Sequence, residues 1–113
     1  MKILHNPRCS KSRATLKLLE ERGLKPEIID YQKQPPSAAQ LGVIAGQLGM
    51  EPRQMMRSGE AVYAELKLDD PRLGDEQLLQ AMADNPILIQ RPIVLANDKA
   101  AIGRPPEAVL DIL

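Results

Sequence analysis

The residues best suited to chemistry lie together near the start of the chain, in His5-Asn6-Pro7-Arg8-Cys9-Ser10-Lys11-Ser12-Arg13. This stretch holds the only cysteine and the only histidine among 113 residues. It falls between a short apolar run, Met1 to Leu4, and an amphipathic stretch, so a strand is expected to feed a helix through a tight turn. The first turn of a helix carries about half a positive charge and unpaired N–H groups, both of which favour an anion. A cysteine there ionises more readily than a free thiol, and Arg8, Lys11 and Arg13 add cations nearby. Cys9 is therefore read as a nucleophile, rather than as the small buried hydrophobe that a free cysteine more often is.

Two other chemistries fit the spacing poorly. A phosphatase-type loop needs a longer interval between cysteine and arginine than the three residues separating Cys9 from Arg13. A dithiol oxidoreductase needs Cys-x-x-Cys, and Ser12 occupies the second position. Any redox cycle through Cys9 therefore requires an external thiol. His5 has two readings: a protonated imidazole that favours the thiolate, or a neutral one that caps local backbone groups. Arg13 also has two: a cation in the first helical turn opposes the helix dipole, which a nearby anion would offset, or it is simply solvated. Arg91 and Arg104 both precede proline, which holds their backbone out of the helical region.

The elements that must position these groups follow from periodicity. Ser10 to Arg22 places Leu16 and Leu19 on one side, joined by Leu18, with Lys17, Glu20 and Glu21 outside, and Gly23 stops the helix. Pro26 to Tyr31 reads as a second strand, so the first unit is βαβ with a parallel pair. Ser37 and Gln40 match a capping box, and Leu41, Ile44, Ala45 and Leu48 follow at helical spacing before Gly49. Short helical pieces are expected at Pro52 to Met56 and Glu60 to Leu66, and a longer helix at Asp75 to Asp84 with Leu78, Leu79 and Met82 inward. Met55 and Met56 read as core filler rather than as a binding groove. Ile93-Val94-Leu95 and Ala100-Ala101-Ile102 flank the turn pair Asn97-Asp98 as a hairpin. Pro106 opens a last helix carrying Val109, Leu110, Ile112 and Leu113. The order is βαβ, a helical insertion at about 37–86, then ββα, which is the α/β arrangement of a thioredoxin-like fold with a mixed sheet in one domain.

Composition limits the partners. Fifteen basic residues balance fifteen acidic ones, so no global field draws the chain to nucleic acid or an anionic membrane. A single cysteine, no signal-peptide pattern and no apolar run near 20 residues lead to the expectation of a cytoplasmic protein. Two tyrosines are the only aromatics, so base-stacking platforms are lacking.

Four separated pieces carry a resemblance. The Cys9 stretch, Met56-Arg57-Ser58, Arg91-Pro92-Ile93-Val94 and Gly103-Arg104-Pro105-Pro106-Glu107 together resemble the glutaredoxin-dependent arsenate reductase family, most closely its short bacterial members. Ser10-Lys11 stands where well-characterised members carry Gly-Thr. The resemblance runs nearly end to end and implies that Cys9 attacks arsenate, that Arg57, Arg91 and Arg104 grip the oxyanion, and that His5 helps keep the thiol ionised. It further implies glutathione as co-substrate, glutaredoxin as partner, no bound cofactor or metal, and a cis-proline at Pro92; a monomer is expected. Arginine suits a tetrahedral oxyanion because its planar fork donates paired, charge-assisted hydrogen bonds. Thioredoxin-like relatives that bind RNA polymerase to control transcription supply the alternative, a regulatory module without reductase activity.

Overall fold

The computed structural model describes residues 1–113, which divide into two compact units, Met1–Gln34 with Arg91–Leu113, and Pro35–Gln90. In the first unit, strand β1 (Lys2–His5) lies at the centre of a four-stranded sheet of order β2-β1-β3-β4. It pairs in parallel with β2 (Glu27–Asp30), bringing His5 beside Asp30, and antiparallel with β3 (Ile93–Ala96). Strand β4 (Lys99–Ile102) completes the hairpin with β3. Its turn residues Asn97 and Asp98 both take positive φ, 55° and 59°, as a tight two-residue hairpin of this twist requires. This is the thioredoxin-like mixed sheet expected from the element order.

Helix α1 (Ser10–Glu21) connects β1 to β2. It ends where Gly23 adopts φ 77°, so that the N–H groups of Gly23 and Leu24 reach back to Glu20 and Leu19. Leu19 then packs with Ile3, Val94, Val109 and Ile112 in the core, joined at its margin by Leu16 and Leu24. The last element departs from expectation. Pro106–Ile112 is a 3₁₀ helix rather than an α-helix, and Leu113 is exposed. Three residues per turn stack Val109 directly over Ile112, which buries both and leaves Leu110 at the margin.

The second unit is helical. Helix α2 (Ala38–Leu48) starts from a complete capping box, with Ser37 Oγ accepting the Gln40 N–H and Gln40 Oε1 accepting the Ser37 N–H. A 3₁₀ turn (Pro52–Met55), a short α3 (Ala61–Glu65) and α4 (Asp75–Asp84) follow. Leu41, Ile44, Leu78, Met82, Met55 and Met56 are all buried, so the two methionines serve as core. Met56 and Ile89 form an isolated antiparallel bridge. No helix in the chain is long and apolar enough to cross a membrane.

Candidate active site

The loop after β1 is fixed by a small set of polar contacts. The Asn6 side-chain oxygen accepts the Arg8 N–H at 3.0 Å, and the Asn6 carbonyl accepts the Cys9 N–H at 3.0 Å. Ser12 Oγ accepts the Asn6 N–H at 3.0 Å and lies 2.6 Å from His5 Nδ1. Arg13 Nη1 donates to the Pro7 carbonyl at 2.9 Å. Both ends of the turn are thereby tied to the first turn of α1, and Cys9 becomes its N-cap in an extended conformation.

An N-cap side chain normally accepts an N–H from the first turn, and serine, threonine, aspartate or asparagine usually does so. Here the position belongs to a half-buried sulfur that makes no full capping hydrogen bond. Burial by itself would raise the thiol pKa, but this is outweighed by the Ser12 N–H, the Arg91 guanidinium and the Lys11 N–H, all of which favour the charged form. The Cys9 pKa is accordingly lowered. The cations responsible differ from those expected: Arg91 replaces Arg8, Lys11 and Arg13, of which Lys11 acts only through its backbone N–H. Arg13 instead spends its guanidinium on the Pro7 carbonyl, which makes it a brace for the loop.

Two arginines from the far end of the chain face the sulfur. Arg104 Nε donates to the Arg91 carbonyl at 2.8 Å, and its Nη2 lies 3.7 Å from Cys9 Sγ. Arg91 has Nε and Nη1 buried with no acceptor in the protein. Buried donors of a charged group are costly to leave unpaired, so beside the Cys9 sulfur they offer hydrogen bonds to an anionic ligand. The peptide bonds Arg91-Pro92 and Arg104-Pro105 are both cis. Arg57 lies in the second unit, where its Nε is bound to Glu60 Oε1 at 3.1 Å and its N–H to the Leu88 carbonyl.

Residues 4–112 match the sequence pattern of the ArsC family. The chain belongs to the ArsC family. It is 53% identical to an arsenate reductase of Neisseria meningitidis across 100% of this chain and 97% of that protein. It is 55% identical to the uncharacterised YfgD protein of Escherichia coli, covering 100% and 96% of the two chains. A solved arsenate reductase of Vibrio cholerae superposes with a TM-score of 0.97 at 52% identity, covering 99% of this chain and 96% of that one.

Within this ArsC chain, His5 is buried at the end of β1. Burial does most to lower its pKa, Asp30 opposes this and Arg13 adds to it, and the net shift favours the neutral imidazole. Its ring nitrogen Nδ1 pairs with Ser12 Oγ rather than with the thiol. Sequence periodicity overlooked Ser12, Thr15 and Gly103. Ser12 and Thr15 form the inner face of α1 with Leu19, and Thr15 is satisfied by the Lys11 carbonyl at 2.8 Å. A side chain at Gly103 would collide with the Thr15 hydroxyl and come within 2.8 Å of the Pro92 ring. The spacing Ser12, Thr15, Leu16, Leu19 was a helical stripe all along, but two of its members are hydroxyls. No group of three His, Cys, Asp or Glu side chains is arranged to hold a metal ion.

Proposed function

We propose that the protein reduces arsenate to arsenite through Cys9, using glutathione and glutaredoxin as external thiols. The observation that carries this reading is the pairing of a thiol of lowered pKa with a guanidinium, that of Arg91, whose buried Nε and Nη1 have no protein acceptor. The names of the Neisseria and Vibrio relatives support the choice of arsenate among oxyanions. Arg91 and Arg104 hold the anion and spread its charge, while the Cys9 thiolate attacks arsenic and water leaves. A glutathione thiolate then attacks the Cys9 sulfur, and the sulfur–arsenic bond breaks with its electron pair on arsenic. Arsenic falls from the pentavalent to the trivalent state, and Cys9 and glutathione become a mixed disulfide. Glutaredoxin takes the glutathionyl group and returns Cys9 to the thiol. Arg57 enters this scheme only through its match to the family motif.

The single cysteine and the fully buried Ser12 leave no second thiol to close an internal disulfide. The deciding experiment is arsenate turnover by the purified chain with glutathione and glutaredoxin, each omitted in turn. Turnover that requires both supports the scheme, and undiminished turnover without glutathione would assign the electrons to another donor.

A further inference from the structure

The sheet order puts β2 on one side of β1 and β3 on the other, so the loop leading to Cys9 has two flanks. Arg91 and Arg104 flank the open end of the β3–β4 hairpin, where Ile93 pairs with Ile102. On the β2 side, a cleft of about 290 Å³ is lined by Asn6, Pro7, Arg8, Asp30, Gln32 and Lys33. That volume stands at the lower end of small-ligand clefts, which begin near 300 Å³. One wall is the segment that ends a single residue before Cys9. The other is the turn after β2, held by Lys33 and Gln34 N–H bonds to the Asp30 carbonyl at 3.0 and 2.8 Å, and by the Gln32 N–H on Asp30 Oδ1 at 3.2 Å. Arg8 and Lys33 are exposed, and neither forms an ion pair within the protein.

We propose that this cleft seats the thiol co-substrate, a small peptidic thiol with two carboxylates and one ammonium, which is the ionic pattern of glutathione. Arg8 and Lys33 take the carboxylates and Asp30 takes the ammonium. The assignment rests on the reading of the protein as a thiol-dependent reductase, and it adds where that thiol binds. Two cations and one anion complement a ligand of two anions and one cation. A simple oxyanion has no group for Asp30 and is repelled by it, so the two substrates are sorted to opposite flanks of Cys9. The ligand's thiol, carried between its charged ends, is thereby brought to the loop that holds the nucleophile.

The test uses S-methylglutathione, which keeps all three charges and cannot react, titrated calorimetrically into the full chain and into the double variant Arg8→Glu, Lys33→Glu. The parent should bind, and the variant should bind at least about 10-fold more weakly, since both carboxylate contacts become repulsive. The KM for glutathione should rise by a similar factor, while the KM for arsenate should stay within about twofold. Equal affinity of the two proteins, no binding by the parent, or an equal rise in both KM values would overturn the assignment. Binding is measured without arsenate, so the two readings fail separately. A parent that binds the analogue but never reduces arsenate sinks the reductase and spares the cleft. Glutathione-dependent turnover that is untouched by the double variant sinks the cleft alone.

Discussion

Helix α2 begins with Ser37 and Gln40 bonded reciprocally across its first turn, whereas α1 begins at Cys9 with no complete side-chain cap. One helix start is closed by its own side chains, and the other keeps its N–H groups directed at a sulfur. The arginines repeat the contrast. Arg53 donates to the Tyr63 hydroxyl and to the Leu68 and Asp70 carbonyls at 3.1, 2.5 and 3.0 Å, while Arg91 leaves two buried nitrogens without an acceptor. Satisfied donors hold a fold together; unsatisfied ones, beside the sulfur proposed as the nucleophile, are available to a ligand. The difference between structure and function here lies in where hydrogen bonds are left unmade, not in residue type.

The largest test of that contrast is Cys9→Ser. Serine is nearly isosteric and is itself a good N-cap, so the start of α1 should become as closed as that of α2 and the fold should be kept or slightly strengthened. Turnover of arsenate should disappear, because a hydroxyl cannot pass electrons to arsenic. Residual reduction by the folded variant would place the redox thiol outside this chain.

Next in size are the arginines. Arg91→Lys keeps the charge but removes the planar pair of donors, so kcat/KM for arsenate should fall about 10- to 100-fold. Arg104→Lys should fall within the same range, since it also loses the Nε bond to the Arg91 carbonyl. Parent-like turnover in both variants would favour a regulatory binding surface over a catalytic cradle. The same electrostatics fix the sign of a pH effect. Because the Cys9 pKa is lowered, thiolate forms at a lower pH than in a free thiol, and the alkylation rate should reach its plateau earlier on the pH axis. A midpoint at or above about 8.5, the free-thiol value, would remove the activation argument. Arg91→Ala should move the midpoint upward, because a favourable cation is lost.

Gly103→Ala should act through packing. The added methyl meets the Thr15 hydroxyl and the Pro92 ring, and the Gly103 N–H is already committed to the Pro92 carbonyl at 2.9 Å, so the backbone has little room to retreat. Overpacking of this kind costs about 1–3 kcal/mol. Arg104 is the next residue, so turnover should fall together with the melting temperature. An alanine variant as stable as the parent would show that α1 and the loop after β4 can separate without loss.

The sequence disclosed most of the elements because their signals are local. The Ser37–Gln40 box, the Asn97-Asp98 turn and the helix over Asp75 to Asp84 each depend on residues within a few positions of one another. The site was legible in part. Cys9 as the cap of α1 follows from the chain order, but its cationic partner Arg91 lies far along the chain, beside it only through the pairing of β1 with β3. Neighbouring cations in sequence were a poor substitute, because Arg13 turns to Pro7. Ser12 and Thr15 escaped notice because burial was judged by apolar spacing, and a hydroxyl with partners is as much at home inside as a methyl group. The 3₁₀ form of the last helix escaped for a related reason: Val109 and Ile112 fit a period of 3.0 and of 3.6 equally well over so short a run.

The smallest expected effect is Ser37→Ala, and it isolates what a closed helix start contributes. Removing the hydroxyl leaves the Gln40 N–H without its 3.1 Å partner and breaks one half of the box. A lost N-cap costs about 1 kcal/mol. That amount lowers the melting temperature of a domain near this size by about 4 °C. The site is exposed, so water can take over part of the bond and the loss should not exceed that figure. Turnover should remain within about twofold, because the cap at Ser37 offers its donors to no ligand. The two helix starts would then separate cleanly, with substitution at Cys9 removing function at no cost to stability, and substitution at Ser37 lowering stability at no cost to function. A tenfold loss of turnover in Ser37→Ala, measured well below its melting temperature, would mean that the start of α2 also serves the reaction.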